Sequence, residues 1–243
     1  MDWTKAKTIL IVALIATNLF LIFTYGFNKP GENENREDVL IDVLANNNIT
    51  LLTKVPERQG KLPVLYIEYS EFNKEETDAL LNREIYSVVN QEMTEESLVD
   101  FSDRFLQELG LLRTNMVLDQ VEIQENLQVV RYKNEIDGMP VEESYIYCTF
   151  DGGRLIGVDS YWLEAKNFSE KKMNIISASE ALIFFTSQFP DNQENIQIEK
   201  IELVYWLDTS SFDGEELVKD TALPAWKISY NEDRKKYIYA YVE

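Results

Sequence analysis

The sequence predicts an α+β protein: an N-terminal transmembrane helix, then two antiparallel-sheet lobes, each with a packed helix. Three observations predict it. Thr8 to Phe27 is a run of twenty residues without a charge, about 30 Å of helix and so enough to cross the hydrocarbon core of a bilayer. The order helix, long strand, turn, strand, strand occurs in residues 94–161 and again in 177–242. Within those strands apolar residues alternate with polar ones, as in Ile196-Gln197-Ile198-Glu199, with a slip near Lys200. The expected division is residues 1–29 for a cytoplasmic tip and anchor, 30–168 for the first lobe and 169–243 for the second.

The anchor comes first. Lys5 and Lys7 precede the uncharged run, and only Lys29 and Arg36 follow it nearby. This bias favours a cytoplasmic N-terminus and a body outside the cell. A cleaved signal peptide would have a shorter apolar core ending in small residues. Here the run is longer, and Thr24-Tyr25-Gly26 is a poor cleavage site. An uncleaved signal-anchor is expected. Thr17 and Asn18 fall near its middle, and Ala13 lies one turn before Thr17. Ala13 and Thr17 share a small-residue face for close helix approach, and a mid-membrane Asn favours a partner helix that can hydrogen-bond to it. Ala13, Thr17 and Asn18 are therefore the candidate transmembrane partner contacts. One Asn and a few Thr are also tolerated in any single span.

Residues 32–38 read as a short polar linker. Val39–Asn46 is a candidate helix with Val39, Leu40, Val43 and Leu44 on one face, ended by Asn46-Asn47-Asn48. Strands are expected at 49–52 and 62–69, with Pro63 marking a strand start or an edge. A helix is expected over Thr77–Asn90. Thr94 followed by Glu95 and Glu96 is a helix start; Leu98, Phe101, Phe105, Leu106 and Leu109 form its apolar face, and Gly110 ends it. Strand candidates follow at 117–123, 127–132, 141–150 and 155–161. Asp137-Gly138 and Asp151-Gly152-Gly153 supply turns between them. Ser177-Ala178-Ser179-Glu180 opens a further helix that stops before Pro190. The last strands are expected at 196–207, 223–230 and 237–242.

Composition narrows the chemistry. The chain has no His, which removes His general bases, Ser-His-Asp triads and His-containing metal sites. Cys148 is the only Cys, so no intrachain disulfide or multi-Cys zinc site can form. It sits in the strand-like run Tyr145–Phe150 and reads as a buried thiol. The formal charge is −20. Residues 1–29 carry three Lys and one Asp, a net +2, which leaves −22 for the body. Such a surface repels nucleic acid and anionic membrane. No D-x-D-x-D-G calcium loop is present. No cofactor and no catalytic residues are expected. Trp162, Trp206 and Trp226 could line a ligand cleft, although each lies in a strand-like run where packing in a core is the simpler role. In so acidic a body a chance carboxylate pair says little about glycosidase chemistry.

The opening Met1-Asp2-Trp3, with Lys5, Lys7, Thr8 and Ile9 ahead of a single span, resembles the YycI family. So do Gly138-Met139-Pro140-Val141, Leu223-Pro224-Ala225-Trp226-Lys227-Ile228 and Tyr237-Ile238-Tyr239-Ala240. The last strand pair also resembles PepSY-type modules. YycI proteins are bitopic regulators of the WalK/WalR (YycG/YycF) two-component system of low-GC Gram-positive bacteria, which governs cell-wall metabolism. The resemblance implies binding to the sensor histidine kinase beside the sister protein YycH, with no catalytic residues. Two other readings stay open at this level: a PepSY-like extracytoplasmic protease inhibitor or chaperone, and a carboxylate-based wall hydrolase.

Overall fold

In the computed structural model, which describes residues 32–57, 60–70, 72–82, 94–189, 194–207 and 219–241, the first half runs α1 (Glu32–Asn46), β1 (Ile49–Leu51), β2 (Lys61–Ser70), α2 (Lys74–Leu81), α3 (Glu95–Glu108), β3 (Met116–Gln124) and β4 (Leu127–Ile136). The second half runs β5 (Met139–Asp151), β6 (Arg154–Asn174), α4 (Ala178–Ser187), β7 (Ile196–Trp206), β8 (Lys219–Tyr230) and β9 (Arg234–Tyr239). This is a mixed α+β fold dominated by sheet.

Local chemistry explains most of the helix ends. Thr94 Oγ1 accepts from Ser97 N at 3.2 Å, and Ser97 Oγ accepts from Thr94 N at 3.1 Å, so α3 starts with a reciprocal capping box. Ser177 and Glu180 do the same for α4. Helix α3 ends as its glycine requires. Gly110 takes φ +64°, Leu111 N donates to Leu106 O and Gly110 N to Gln107 O, the paired bonds of a Schellman motif. At α1 the expected linker gives way to helix: residues 32–38 continue the amphipathic 39–46 segment toward the N-terminus. The helix expected over 77–90 starts earlier, at Lys74 behind the Asn73 cap, and is capped at Asn82; positions 83–90 lie outside the described residues.

Strands β3 to β6 form an antiparallel meander. The β4–β5 turn uses Asp137 and Gly138 at φ 52° and 74°, and the β5–β6 turn uses Gly152 and Gly153 at φ 55° and 79°. Two positive-φ residues match the right-handed twist of the flanking strands. β6 is much longer than the expected 155–161. Its first part pairs with β5 as far as Tyr161, and from Trp162 to Asn174 it pairs with β2. The border expected at 168/169 falls inside this strand. β2 pairs onward with β8 over Leu65–Glu68. Pro63 lies outside that stretch, bordered by β6 alone, where a missing N–H costs no ladder bond. β8 then pairs with β7 and β9, and β1 lies parallel on the far side of β7. A single parallel pairing of Val141 with Tyr205 joins β5 to β7. Pairing thus runs β5–β6–β2–β8–β7 and returns to β5. The register slips between Ile198 and Lys200, as the break in alternation predicts.

Two hydrophobic cores result. In one, Leu98, Phe105 and Leu106 of α3 pack on Val130, Tyr132, Ile146 and Phe150. In the other, Leu40 and Leu44 of α1 and Leu182 and Phe185 of α4 pack on Ile198, Leu203, Trp226 and Ile228. Residues 40–67 therefore share a core with residues 176–240. Each fully buried Leu or Phe contributes roughly 1.5–3 kcal/mol relative to exposure. Among the described residues no helix is long and apolar enough to cross a membrane; the Thr8–Phe27 run lies outside the described residues.

Candidate recognition site

The feature that organises the region between the two cores is a bulge in β5. Lys133 pairs with Tyr145 and Asn134 with Val141, so Glu142, Glu143 and Ser144 face no residue on β4. Glu143 takes φ +61°, a left-handed conformation that costs a non-glycine residue of order 1 kcal/mol. Two buried side chains hold the bulge. Ser144 Oγ accepts from Leu163 N at 3.0 Å, and Asn134 Nδ2 donates to Leu163 O at 2.8 Å. Leu163 belongs to the part of β6 that has just left β5 for β2, so these side chains satisfy backbone groups that β5 no longer reaches.

The bulge aims Glu142 across the sheet. Its carboxylate accepts from Lys227 Nζ at 2.8 Å and from Tyr237 Oη at 2.7 Å. The Glu142 and Lys227 side chains are only 10% and 14% exposed. Tyr237 stacks on Trp206 with ring centroids 4.8 Å apart and planes 7° apart. Burial, and then the hydrogen bond and charge of Glu142, push the Tyr237 phenol well above its ordinary range. It donates as a neutral hydroxyl at physiological pH.

Beside this triad lies a polar cleft of about 530 Å³. Arg131, Lys133, Lys200, Lys227 and Lys235 line it against Asp119, Glu142, Glu143 and Glu202, five cations to four carboxylates for a local net +1. The body around it carries −22. Asp119 bridges Arg131 at 3.1 Å and Lys133 at 3.6 Å, and Lys200 meets Glu202 at 2.8 Å. Arg131 also lies 5.4 Å over the Tyr147 ring. From there ring contacts run through Tyr145 and Tyr161 to Tyr69. Burial is also the first cause of the raised Tyr145 and Tyr161 values, reinforced at Tyr145 by the charge of Asp159. A second, apolar hollow of about 910 Å³ lies between α1 and the β1 segment, lined by Leu40, Ile41, Leu44, Leu51 and Val55.

What the arrangement presents is charge and hydrogen-bonding groups. The buried Cys148 thiol is pushed up to about 12 by desolvation, so it is a poor nucleophile. Among the described residues no group of three or more His, Cys, Asp or Glu is placed to hold a metal ion. The three tryptophans do not share a cleft: Trp162 belongs to the α3 core, Trp226 to the other, and Trp206 alone is half-buried beside Tyr237. Ala13, Thr17 and Asn18 lie outside the described residues. Sequence reasoning did not single out Glu142, Lys227 or Tyr237 as a set. The signals were two acids interrupting the apolar run Met139–Phe150 and one Lys inside Leu223–Ile228.

The YycI protein family model matches residues 30–243. The chain belongs to the YycI family. YycI membership suggests a regulatory, non-catalytic protein of the WalK/WalR system. Glu142 and Lys227 thus belong to the body of a YycI protein. Among solved structures, the Bacillus megaterium YpeB C-terminal domain is similar with a TM-score of 0.39 and 12% identity, covering 66% of this chain. The chain spans 65% of that structure's length. No curated protein matches.

Proposed function

We propose that this YycI chain is a membrane-anchored, extracytoplasmic regulator that binds a WalK/YycG-like sensor histidine kinase, with YycH as co-partner, and thereby modulates control of cell-wall metabolism. The family match over residues 30–243 carries the reading. The Lys5/Lys7 flank and the uncharged Thr8–Phe27 run support a retained anchor with the N-terminus in the cytoplasm. Four residues separate Phe27 from the start of α1 at Glu32, five steps of chain and a reach of at most about 18 Å. The start of α1 therefore stays beside the bilayer, where a kinase's own spans emerge. Regulation is then differential affinity. A tenfold change in the ratio of two kinase states needs a binding preference of about 1.4 kcal/mol for one of them. Helix packing through Ala13 and Thr17 and a hydrogen bond from Asn18 have that magnitude.

Protease added to intact protoplasts is expected to degrade the body; a protected body, or a mature N-terminus near Phe27, contradicts the topology. The paired change Ala13→Leu and Asn18→Leu keeps the span apolar while blocking close approach and removing the hydrogen bond. The two-hybrid signal with the kinase is expected to fall several-fold at unchanged expression, and kinase-dependent transcription to move with it. If replacing the whole span by an unrelated apolar helix leaves both readouts intact, the membrane contact plays no part.

A further inference from the structure

Among the described residues, β1, β3 and β9 each have one sheet neighbour. Two of these edges are poor templates for another strand. β1 is three residues long, and β9 opens with Arg234-Lys235-Lys236, cations of the kind that block edge pairing. β3 differs. It is nine residues long and contains no Lys, Arg or Pro. Val117, Leu118 and Ile123 along it are 38%, 45% and 48% exposed. The bulge between Leu118 and Gln120 disturbs only its first half, leaving Gln120–Gln124 in regular register.

The two faces of β3 have different chemistry. Leu118, Val121 and Ile123 stand opposite Tyr132, Val130 and Gln128 and so share their face of the sheet, the one covered by α3. Tyr132 and Gln128 are 3% and 0% exposed. The cover of α3 thins beyond β4: Val121 is still partly buried against that core, while Leu118 and Ile123 stay exposed. On the other face Glu122 is exposed, and Asp119 borders the polar cleft.

We propose that β3 is a docking edge that accepts an extended strand of a second protein, apolar on the side facing Leu118 and Ile123 and basic on the side facing Glu122. Main-chain pairing supplies the attachment and the alternating side chains supply selection. Charge decides the occupant. β3 carries no base; of its two acids Asp119 is bridged by Arg131 and Lys133, which leaves Glu122 as the exposed charge on that face, and with the body at −22 a basic strand is attracted while a second copy of this chain is repelled.

The edge groups can be identified. Gln124 and Leu127 flank a two-residue turn, which makes them a hydrogen-bonded pair. By the alternation of an antiparallel ladder, the N–H groups of Val121 and Ile123 then point away from β4. Ile123→Pro removes one outward donor and no bond to β4, whereas Ile123→Thr keeps the donor at similar size. The probe is a synthetic peptide of about nine residues alternating Val and Lys, with a Val/Glu peptide as its counterpart. Binding and amide exchange are read on the full-length protein in nanodiscs. The Val/Lys peptide is expected to slow exchange at Val121 and Ile123 and not in β9. Ile123→Pro is expected to weaken it about tenfold and Ile123→Thr less than about threefold. Should Ile123→Pro unfold the body, Glu122→Lys replaces it, and is expected to weaken the Val/Lys peptide and admit the Val/Glu peptide. Absence of protection at Val121 and Ile123, equal effects of Pro and Thr, or insensitivity to Glu122→Lys overturns the docking edge. Protection that rises with protein concentration without peptide identifies a second copy as the occupant and overturns the basic-partner assignment. A kinase that fails to bind the chain defeats the proposed function while leaving these readouts unchanged.

Discussion

Replacing Lys227 by Met tests whether the bulge in β5 holds the two cores together through charge. Lys227 Nζ lies 2.8 Å from Glu142, and both side chains are close to buried, at 14% and 10% exposed. An exposed ion pair is worth about 0–1 kcal/mol, because water screens each charge once the other is removed. Stranding one member of a buried pair costs about 3–5 kcal/mol. Glu142 retains the Tyr237 hydroxyl at 2.7 Å and borders a cleft, so the expected cost falls between these limits, at about 3 kcal/mol. With a urea m-value of about 3 kcal/mol/M for a body of this size, the midpoint moves down by about 1 M. The double variant Lys227→Met with Glu142→Gln removes both charges and keeps an acceptor for Tyr237. It is expected to regain most of the loss, giving a coupling energy of about 2 kcal/mol. Lys200→Met is the internal control. Its pair with Glu202 is just as short at 2.8 Å, but the lysine is 62% exposed, so its midpoint is expected to move by less than about 0.2 M. Equal shifts for Lys227→Met and Lys200→Met, or a double variant no better than the sum of the singles, would refute the argument from burial.

Two further outcomes follow from the same groups. The Tyr237 and Tyr132 phenols are both raised from the ordinary 10.0, each first by burial and then by a hydrogen-bonded carboxylate, Glu142 and Asp103 respectively. Folding favours their protonated forms, so this stabilisation is complete below the unfolded pKa near 10 and is lost as pH rises above it. Unfolding is therefore expected to become easier above about pH 10, with Tyr237→Phe flattening the fall; late phenolate absorbance coinciding with unfolding is the check, and a gradual titration of both phenols in the folded state would contradict it. Cys148, fully buried and raised to about 12, is expected to react with a thiol reagent at the rate of global unfolding; a fast reaction insensitive to denaturant would mean that the α3 core opens locally.

What the sequence made legible was whatever is decided within a few residues. Thr94 and Ser177 announced their caps, and Asp137-Gly138 and Gly152-Gly153 announced turns that need positive φ. A single break in alternation marked the slip between Ile198 and Lys200. What escaped was imposed from a distance. Residues 166–172 of β6 are largely exposed and show no regular alternation; they are strand because β2 pairs with them across more than a hundred positions of chain. The Glu142–Lys227–Tyr237 set is built from residues 85 and 95 positions apart. Glu142 and Lys227 were visible only as charges inside strand-like runs and Tyr237 as an ordinary strand residue, and no local rule brings the three together. The α1 extension is a further case, since its polar residues carry no periodic signal and the helix propagates from the amphipathic half that packs into the core.

The closed circuit of pairing bears on how such a body can regulate. β6 is 21 residues long and belongs to both pairings, with β5 first and β2 after. Because β8 and β7 bring the chain back to β5 at Val141, one core cannot rotate against the other without breaking ladder bonds or the buried Glu142 contacts. Two discrete arrangements of the body would each need those contacts remade. On the proposed reading the body therefore acts as a fixed surface, and the change of state lies in its partner. A rigid regulator biases a kinase only through unequal affinity for the kinase's own conformations. Stiffening the body further should then leave regulation untouched, while a change at a surface that meets only one kinase state should alter both binding and output by the same factor.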